Sequence, residues 1–131
     1  MSEVPELPYK KFWLLIGYFF VATVFYLSLM PDPPKIETSI TFFDKINHFT
    51  AYFFLTVWFS QIYYLAHQRR LFLLLFILMG ITIEVLQSFE VTRMFEWLDM
   101  LANTVGAVLA YYVTRGEMKF LLGRLLMKLQ L

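Results

Sequence analysis

An uncharged apolar run near the start of the chain constrains the fold more than any other feature. Residues 12–30 (FWLLIGYFFVATVFYLSLM) contain no Asp, Glu, Lys or Arg. At about 1.5 Å per residue, a helix of this length crosses the ~30 Å hydrocarbon core of a bilayer. A cleaved signal peptide is the alternative, but the run exceeds an ordinary signal-peptide core and ends at Pro31 without a small-residue cleavage site. The first helix is therefore predicted to span a membrane.

Composition and the later apolar runs extend this prediction to the whole chain. Of 131 residues, 60% are hydrophobic and 16% are charged, whereas soluble domains carry about 25% charged residues. We therefore expect an all-α, polytopic membrane protein with a single domain over residues 1–131. Its parts are a four-transmembrane-helix bundle, with helices at about 12–30, 46–65, 71–89 and 98–115, and an interfacial amphipathic tail at 117–131. Residues 66–70 are expected to form a hairpin loop, and residues 31–43 an irregular loop because of their prolines.

The distribution of cations sets the expected orientation in the membrane. Four spans place both termini on one side, together with the 66–70 hairpin. Eight cations fall on that side: Lys10, Lys11, Arg69, Arg70, Arg115, Lys119, Arg124 and Lys128. Three fall on the other side: Lys35, Lys45 and Arg93. Because cytoplasmic segments are enriched in Lys and Arg, both termini are predicted to be cytoplasmic. The net charge of +1 is too small a positive field for nucleic acid, so no such partner is expected.

The tail after the fourth helix has an amphipathic pattern. Its apolar residues share one helical face: Met118, Leu121, Leu122, Leu125 and Leu129. Lys119, Arg124 and Lys128 lie elsewhere on the helix. This pattern predicts a helix that lies in the interface and binds an anionic leaflet. The tail should strengthen membrane association without contributing to a site.

Polar residues within the apolar stretches gather on one face of each of three helices. Helical spacing groups Asp44, His48 and Tyr52 in helix 2, Glu84 and Gln87 in helix 3, and Asp99, Asn103 and Gly106 in helix 4. In the predicted orientation they all lie in the outer half of the membrane. Three helices can thus direct polar groups into one outward-facing site. Its candidate ligand-binding residues are Asp44, Lys45, His48, Tyr52, Glu84, Gln87, Arg93, Asp99 and Asn103.

Several of these residues also have a purely structural explanation. Asp44 and Asp99 can cap or complement the first turns of their helices. His48 can be an interfacial side chain that reaches the headgroups rather than a proton carrier. Gln87 and Asn103 can be hydrogen-bonding contacts between helices, which is the commoner use of amides in membrane bundles. Both explanations stay open for these positions.

Glu84 is harder to explain structurally. An isolated charge deep in a span costs about 2.5–3.5 kcal/mol even on a lenient insertion scale, and such groups face the bundle interior or water. Glu84 therefore needs a partner or a proton, and the cations predicted on its side include Lys45, His48 and Arg93. We expect Glu84 at the centre of the site, paired with Arg93 or Lys45 if it is ionised.

The same residues carry a resemblance to a known family. The ordered set is SLMP at 28–31, DKINHF at 44–49 with Tyr52 and Leu55, Gly80 with Glu84 and Gln87, Arg93, and Asp99 with ANTVGA at 102–107. From helix 1 to helix 4 the sequence resembles the VanZ-like family of small membrane proteins, named for a protein associated with low-level teicoplanin resistance. The resemblance implies a cell-envelope protein of the bacterial cytoplasmic membrane with a link to antibiotic resistance. It marks as signature positions Asp44, Lys45, His48, Glu84, Gln87, Arg93, Asp99 and Asn103.

Binding or handling of an amphipathic cell-envelope molecule, lipid-linked or glycopeptide-like, is the first of three functions that fit these residues. A polar pocket rimmed by aromatics suits a polar head and an apolar tail. The second is an enzyme acting on a lipid headgroup or phosphate, with the carboxylates and His48 as metal ligands or acid and base. Lys45 and Arg93 would then neutralise the phosphate. The third is a structural or assembly subunit whose polar groups lock the helices together.

The residue set assigns neither a catalytic residue nor a metal or cofactor. It contains no recognised nucleophile or metal-ligand spacing, and the chain has no cysteine to act as either. A transporter fits less well, because four short spans without a visible repeat offer little for alternating access. The expected partners are membrane lipids and a lipid-linked envelope precursor, and homo-oligomer formation stays open.

Overall fold

Helices make up the fold in the part of the chain that the structure describes. The structure is a computed structural model that describes residues 6–30, 43–90 and 96–131. Its helices are α1 (Lys10–Leu29), α2 (Phe43–Ser60), α3 (Ala66–Gln87) and α4 (Trp97–Val113), followed by a 3₁₀ turn (Gly116–Phe120) and α5 (Leu121–Lys128). Within these ranges there is no strand, which confirms the all-α prediction. The predicted loop at 31–43 lies outside the described residues except for Phe43, which begins α2.

Contacts between the helices show that α2 and α4 are parallel and that α3 runs the opposite way. Contacting pairs follow the same order along α2 and α4: His48 bonds to Asn103 near their starts, and Ser60 to Thr114 near their ends. Arg69, near the start of α3, also bonds to Thr114. The bundle therefore has one end where α2 and α4 begin and another where they finish. We call the second one the terminal end, because the N-terminal part of α1 and the tail lie there.

Small residues on α4 allow its close approach to α2. A Cβ atom added at Gly106 would overlap the carbonyl oxygen of Phe49 on α2. Ala107 and Ala110, on the following turn, are fully buried. Small side chains let two helix backbones approach closely, which strengthens the packing between them. This contact sets the distance between the polar residues that the two helices carry.

The outer surfaces of α1 and α3 are apolar and exposed. Gly17 is the buried residue of α1, and α3 exposes Leu71, Leu74 and Leu78 along one side. Among the described helices, α1 and α3 are the two that are long and apolar enough to cross a membrane. Exposed apolar surface on this scale favours lipid rather than water as the surrounding medium. The structure thus supports a membrane protein.

The connection between α2 and α3 corrects one prediction. The predicted hairpin at 66–70 instead forms the first turns of α3, which begins at Ala66. Arg69 explains the difference, because its buried guanidinium donates hydrogen bonds to the carbonyl oxygen of Tyr111 at 2.6 Å and to the hydroxyl of Thr114 at 2.9 Å. These oxygens lie at the C-terminal end of α4, where the helix dipole favours a cation. A charge that suggested a loop is therefore accommodated inside a helix.

The tail packs onto the bundle, whereas the sequence predicted only an interfacial helix. Leu126 of α5 is buried against Leu7 and Ile62. Gln61 makes two hydrogen bonds to the tail backbone, of 2.8 and 2.9 Å. The apolar face predicted from the sequence does not include Leu126. Most of the predicted face stays exposed and free to meet lipid: Met118, Leu121, Leu125 and Leu129.

Candidate functional site

Lys45 is the centre of an ion-pair cluster where α2 and α4 begin. Its ammonium donates hydrogen bonds to the carboxylates of Asp44 (3.3 Å), Glu96 and Asp99. The side chains of Lys45 and Asp99 are 21% and 10% exposed, so their pair is largely shielded from solvent. Removing one partner from such a pair leaves an uncompensated charge. The Lys45 cluster consists of Asp44, Lys45, His48, Glu96, Asp99 and Asn103.

The ring of His48 is oriented by α4 and faces two carboxylates. Its Nδ1 lies 3.1 Å from Oδ1 of Asn103. Because an amide oxygen only accepts hydrogen bonds, this contact is a hydrogen bond when Nδ1 carries a proton. The other ring nitrogen, Nε2, lies 3.6 Å from Oδ2 of Asp99 and 3.8 Å from Oδ1 of Asp44. Asn103 is buried, so this hydrogen bond holds the ring in a protected position.

Glu84 lies beside the cluster but its carboxylate is not paired with Lys45. It is buried, and its Oε1 accepts a hydrogen bond of 2.8 Å from the backbone N–H of Glu96, where α4 begins. A helix N-terminus favours an anion at this position. Of the two expected partners, Lys45 does not pair with Glu84, because the ammonium bonds to the carboxylates of the cluster instead. Arg93, the other expected partner, lies outside the described residues.

Two buried polar atoms beside the cluster have no hydrogen-bond partner among the described residues. They are Oε2 of Glu84 and the hydroxyl of Tyr52. The two residues are 1% and 2% exposed, and they interact electrostatically with each other. The ring of Tyr52 lies next to Gly80, where an added Cβ would be 3.4 Å away. Unpartnered buried polar atoms are uncommon in native proteins and point to an unseen water, ion or functional group.

An apolar groove leads from the cluster along α2 and α4. It has a volume of about 350 Å³ and is lined by Lys45, Ile46, Phe49, Leu98, Leu101, Ala102 and Val105. Its surface is almost wholly apolar, so Lys45 contributes mainly the hydrocarbon part of its side chain, at the end of the groove next to the cluster. Small-molecule sites have volumes of about 300–1,000 Å³ and combine apolar walls with a few polar groups. The groove can therefore accept a hydrocarbon chain whose polar end reaches the Lys45 cluster.

The structure brings most of the predicted site residues together. Those in the cluster are Asp44, Lys45, His48, Asp99 and Asn103. Tyr52 and Glu84 lie beside it. Gln87 points elsewhere, because its amide donates a hydrogen bond of 2.6 Å to the carbonyl oxygen of Ser28 and so ties α3 to α1.

Glu96 is a cluster residue that the sequence pattern did not indicate. It immediately precedes Trp97, the first residue of α4. An acidic residue at a helix start is favoured by the dipole. The sequence pattern predicts that this helix begins at residue 98. Because α4 begins at Trp97, Glu96 lies next to the helix and one turn before Asp99.

Three residues of the cluster offer atoms that could hold a metal ion. They are Asp44, His48 and Asp99, whose ligand atoms lie within 4.8 Å of one another. Two of them are four residues apart on α2 and the third comes from α4, so their sequence spacing matches no familiar metal motif. The cluster is formed only by helix packing.

The fold and the site define a small helical membrane protein with a polar cluster at one end of its bundle. The family model described as VanZ/LLP1 matches residues 4–122. The chain therefore belongs to the VanZ-like family, which confirms the resemblance seen in the motifs. The matched region contains α1 to α4 and the whole Lys45 cluster. Comparison with curated proteins and comparison with solved structures gave no match.

Proposed function

We propose that the chain binds an amphipathic cell-envelope molecule, lipid-linked or glycopeptide-like, at the Lys45 cluster and the adjoining groove. The observation that carries this proposal is the continuity between them, since Lys45 belongs to both. A molecule with a polar head and an apolar chain would place the head at the cluster and the chain along α2 and α4. Membrane bundles keep ionisable groups where a substrate or a partner needs them.

The proposal includes a membrane topology with four spans. α2 and α4 have 18 and 17 residues, which correspond to about 26 Å of helix each, slightly less than the ~30 Å hydrocarbon core. Polar residues fill their first turns, so these turns would lie at the interface rather than in the hydrocarbon. Local thinning of the bilayer accommodates such short spans at modest cost. The cation distribution supports cytoplasmic termini and an outward-facing Lys45 cluster.

Cysteine labelling tests this topology directly, because the natural chain has no cysteine. Phe89→Cys lies just after α3 at the cluster end, and Met127→Cys lies on α5 at the terminal end; both positions are exposed. We expect an impermeant thiol reagent added to intact cells to label the cysteine at position 89. The cysteine at position 127 should react only after the membrane is opened. Labelling in the reverse order would contradict the orientation.

The charge of the cluster narrows the chemistry of the ligand head. Within the described residues, three carboxylates surround one ammonium, so the cluster is net acidic. Sugar hydroxyls and amines can donate hydrogen bonds to these carboxylates. A bare phosphate would meet repulsion there unless a cation accompanied it. The cluster therefore favours a head rich in hydroxyl or amine groups, or a phosphate bound together with a cation.

A structural role is the second candidate, and it rests on a specific observation. The contacts of Lys45 with Asp99 and of His48 with Asn103 both join α2 to α4. If these contacts only hold the helices together, removing either should lower the free energy of unfolding. The amount of bound molecule should then fall only as far as the amount of folded protein falls. A binding site predicts loss of the molecule from protein that is still folded.

Blocking the groove separates these two functions. Val105 lines the groove, whereas Leu109, one turn further along α4 and similarly exposed, is not part of the lining. Mass spectrometry of lipids that co-purify in mild detergent is the measurement. We expect Val105→Phe to reduce the co-purified molecule about tenfold and Leu109→Phe to leave it unchanged, with both variants equally helical. Equal retention in both, or no co-purified molecule in the natural protein, would contradict the proposal.

A further inference from the structure

Three lone-pair atoms converge between α2 and α4. In the neutral tautomer that donates from Nδ1 to Asn103, Nε2 of His48 carries a lone pair. That lone pair faces Oδ2 of Asp99 at 3.6 Å and Oδ1 of Asp44 at 3.8 Å. None of these three atoms can donate a hydrogen bond to the others in this state. A positive charge among them, either a proton on the ring or a metal ion, would stabilise this arrangement.

Lys45 does not take this position. Its ammonium bonds to Oδ2 of Asp44 and Oδ1 of Asp99, so it holds the other oxygen of each carboxylate. The oxygens that face His48 stay available. Lys45 thus orients the two carboxylates, and Asn103 orients the imidazole. Outer-shell hydrogen bonds of both kinds are characteristic of metal sites, where they fix the ligands before the ion binds.

We propose that Asp44, His48 and Asp99 bind a divalent transition-metal cation with the coordination chemistry of zinc. Their ligand atoms lie within 4.8 Å of one another. The separations of 3.6 and 3.8 Å exceed by a few tenths of an ångström the roughly 3.4 Å between tetrahedral ligands placed about 2.1 Å from zinc. The third separation, between the two carboxylates, lies within 4.8 Å, so these carboxylates have to move towards each other to complete the site. An imidazole among the ligands favours zinc-like ions over Mg²⁺ or Ca²⁺, which prefer oxygen ligands alone.

Glu84 gives an independent indication of a cation. Its side chain is 1% exposed, and its Oε2 has no hydrogen-bond partner within the described part of the chain. The carboxylate is close enough to that of Asp99 for the two negative charges to repel each other. A buried acid next to a net acidic cluster is unfavourable unless it carries a proton or additional positive charge is present. A divalent cation supplies that charge.

The proposed site has three protein ligands and so leaves one tetrahedral position open. Zinc sites that act on or bind other molecules keep such a position for water or for an oxygen of the bound molecule. The position lies beside the polar end of the groove, since Lys45 belongs to both the cluster and the groove lining. The metal site itself does not depend on the proposed function, because metal binding can be measured on protein freed of lipid.

Zinc titration of the purified full chain tests the inference. The protein is prepared in detergent without a histidine tag, delipidated, and titrated with Zn²⁺ in a calorimeter. We expect one Zn²⁺ per chain, and at least a tenfold weaker affinity in His48→Gln. The chain has two histidines, so His67→Gln, an exposed position at the start of α3, is the matched control and should bind like the natural protein.

A second variant protects the test against misfolding. The Asp44 side chain is 68% exposed, so Asp44→Asn should fold normally and still lose at least tenfold in zinc affinity. Co²⁺ in place of zinc should give the visible absorption of a tetrahedral site in the natural protein and in His67→Gln alone. Zinc affinity that is equal in His48→Gln and His67→Gln would overturn the proposal. So would the absence of binding by the natural protein at millimolar zinc, which would assign the positive charge to a proton on His48.

Discussion

The two ends of the bundle each hold a cation between helices, but they surround it differently. At the terminal end, Arg69 donates to a backbone carbonyl and a hydroxyl, and its guanidinium stacks over the ring of Tyr111 at 4.7 Å. These partners are neutral. At the other end, Lys45 is surrounded by carboxylates. Among the described residues, Oε2 of Glu84 has no hydrogen-bond partner there, and at the terminal end Nε of Arg69 has none either. Among the described residues, the first environment contains one charge stabilised by dipoles, and the second contains three carboxylates around one ammonium.

This difference indicates that the contacts of Arg69 are structural and that the Lys45 cluster is a candidate binding site. Cations are favoured at helix C-termini, and Arg69 lies at the C-terminal end of α4 with little surface left to offer a ligand. Carboxylates are favoured at helix N-termini, but within the described part of the chain the Lys45 cluster has three carboxylates and one ammonium. Excess charge of one sign in a partly buried site is costly unless something else binds there. The predictions below test this contrast, from the largest expected effect to the smallest.

Removing the terminal-end cation should have the largest effect on stability. Arg69→Ala loses two charge-assisted hydrogen bonds from a buried guanidinium, so we expect the free energy of unfolding in detergent to fall by about 3 kcal/mol. The exposed neighbour gives the control, since Arg70→Ala should change it by less than about 0.5 kcal/mol. Denaturant titration followed by circular dichroism measures both. Equal effects of the two changes would refute a structural role for Arg69.

The tail should contribute to the terminal end through Leu126. This side chain is buried, whereas Leu125 is half exposed. We expect Leu126→Ala to lower the free energy of unfolding by about 2 kcal/mol, near the low end of the range for buried leucines because the site is close to the surface. Leu125→Ala should leave unfolding nearly unchanged and weaken binding of the isolated tail peptide to anionic vesicles. If Leu125→Ala lowered the free energy of unfolding more than Leu126→Ala, the tail would be an interfacial helix only, as the sequence predicts.

Neutralising Glu84 should affect binding rather than folding. Glu84→Gln keeps the shape of the side chain and its hydrogen bond to Glu96, while removing a buried charge. We expect the co-purified molecule to fall about tenfold, equivalent to about 1.4 kcal/mol, with a melting temperature equal to or above that of the natural protein. Glu90→Gln, just beyond α3, is the control and should change neither quantity. A large drop in melting temperature with Glu84→Gln would instead indicate a structural lock.

The smallest expected effect is the coupling inside the Lys45 cluster. A double-mutant cycle on Lys45→Met and Asp99→Asn measures it as the departure from additivity in the free energy of unfolding. We expect about 1 kcal/mol, because the pair is largely shielded but Lys45 shares its ammonium with two other carboxylates. A coupling near zero would show that the pair does not act as a unit.

The helical class and most of the cluster were predictable because they depend on local patterns. A charge-free run, helical spacing and the family motifs placed Asp44, His48 and Asp99 on faces able to meet. The separation of Lys45 from Glu84 was not predictable. It depends on which carboxylates lie within hydrogen-bonding distance of the ammonium. Those distances depend on where α4 begins and on how closely Gly106 lets α4 approach α2.

The errors at the terminal end have a common physical origin. Basic residues at 69–70 favour a loop, and the apolar residues at 62–65 predict that helix 2 continues to residue 65, whereas α2 ends at Ser60. Both signals were overridden by contacts from elsewhere in the chain: the end of α4 satisfies Arg69, and the tail covers Ile62. Such partners are far apart in sequence, so local periodicity does not show them.

The most direct test compares one variant from each end in a single measurement. Native mass spectrometry of protein released from detergent micelles gives the fraction of folded chains that carry the co-purified molecule. For Asp99→Asn, we predict that this fraction falls about tenfold while the protein stays folded. For Arg69→Ala, we predict that it is unchanged although the protein is less stable. If the fraction falls to the same extent in both variants, the Lys45 cluster is a structural contact like the one at Arg69, and the binding function is contradicted.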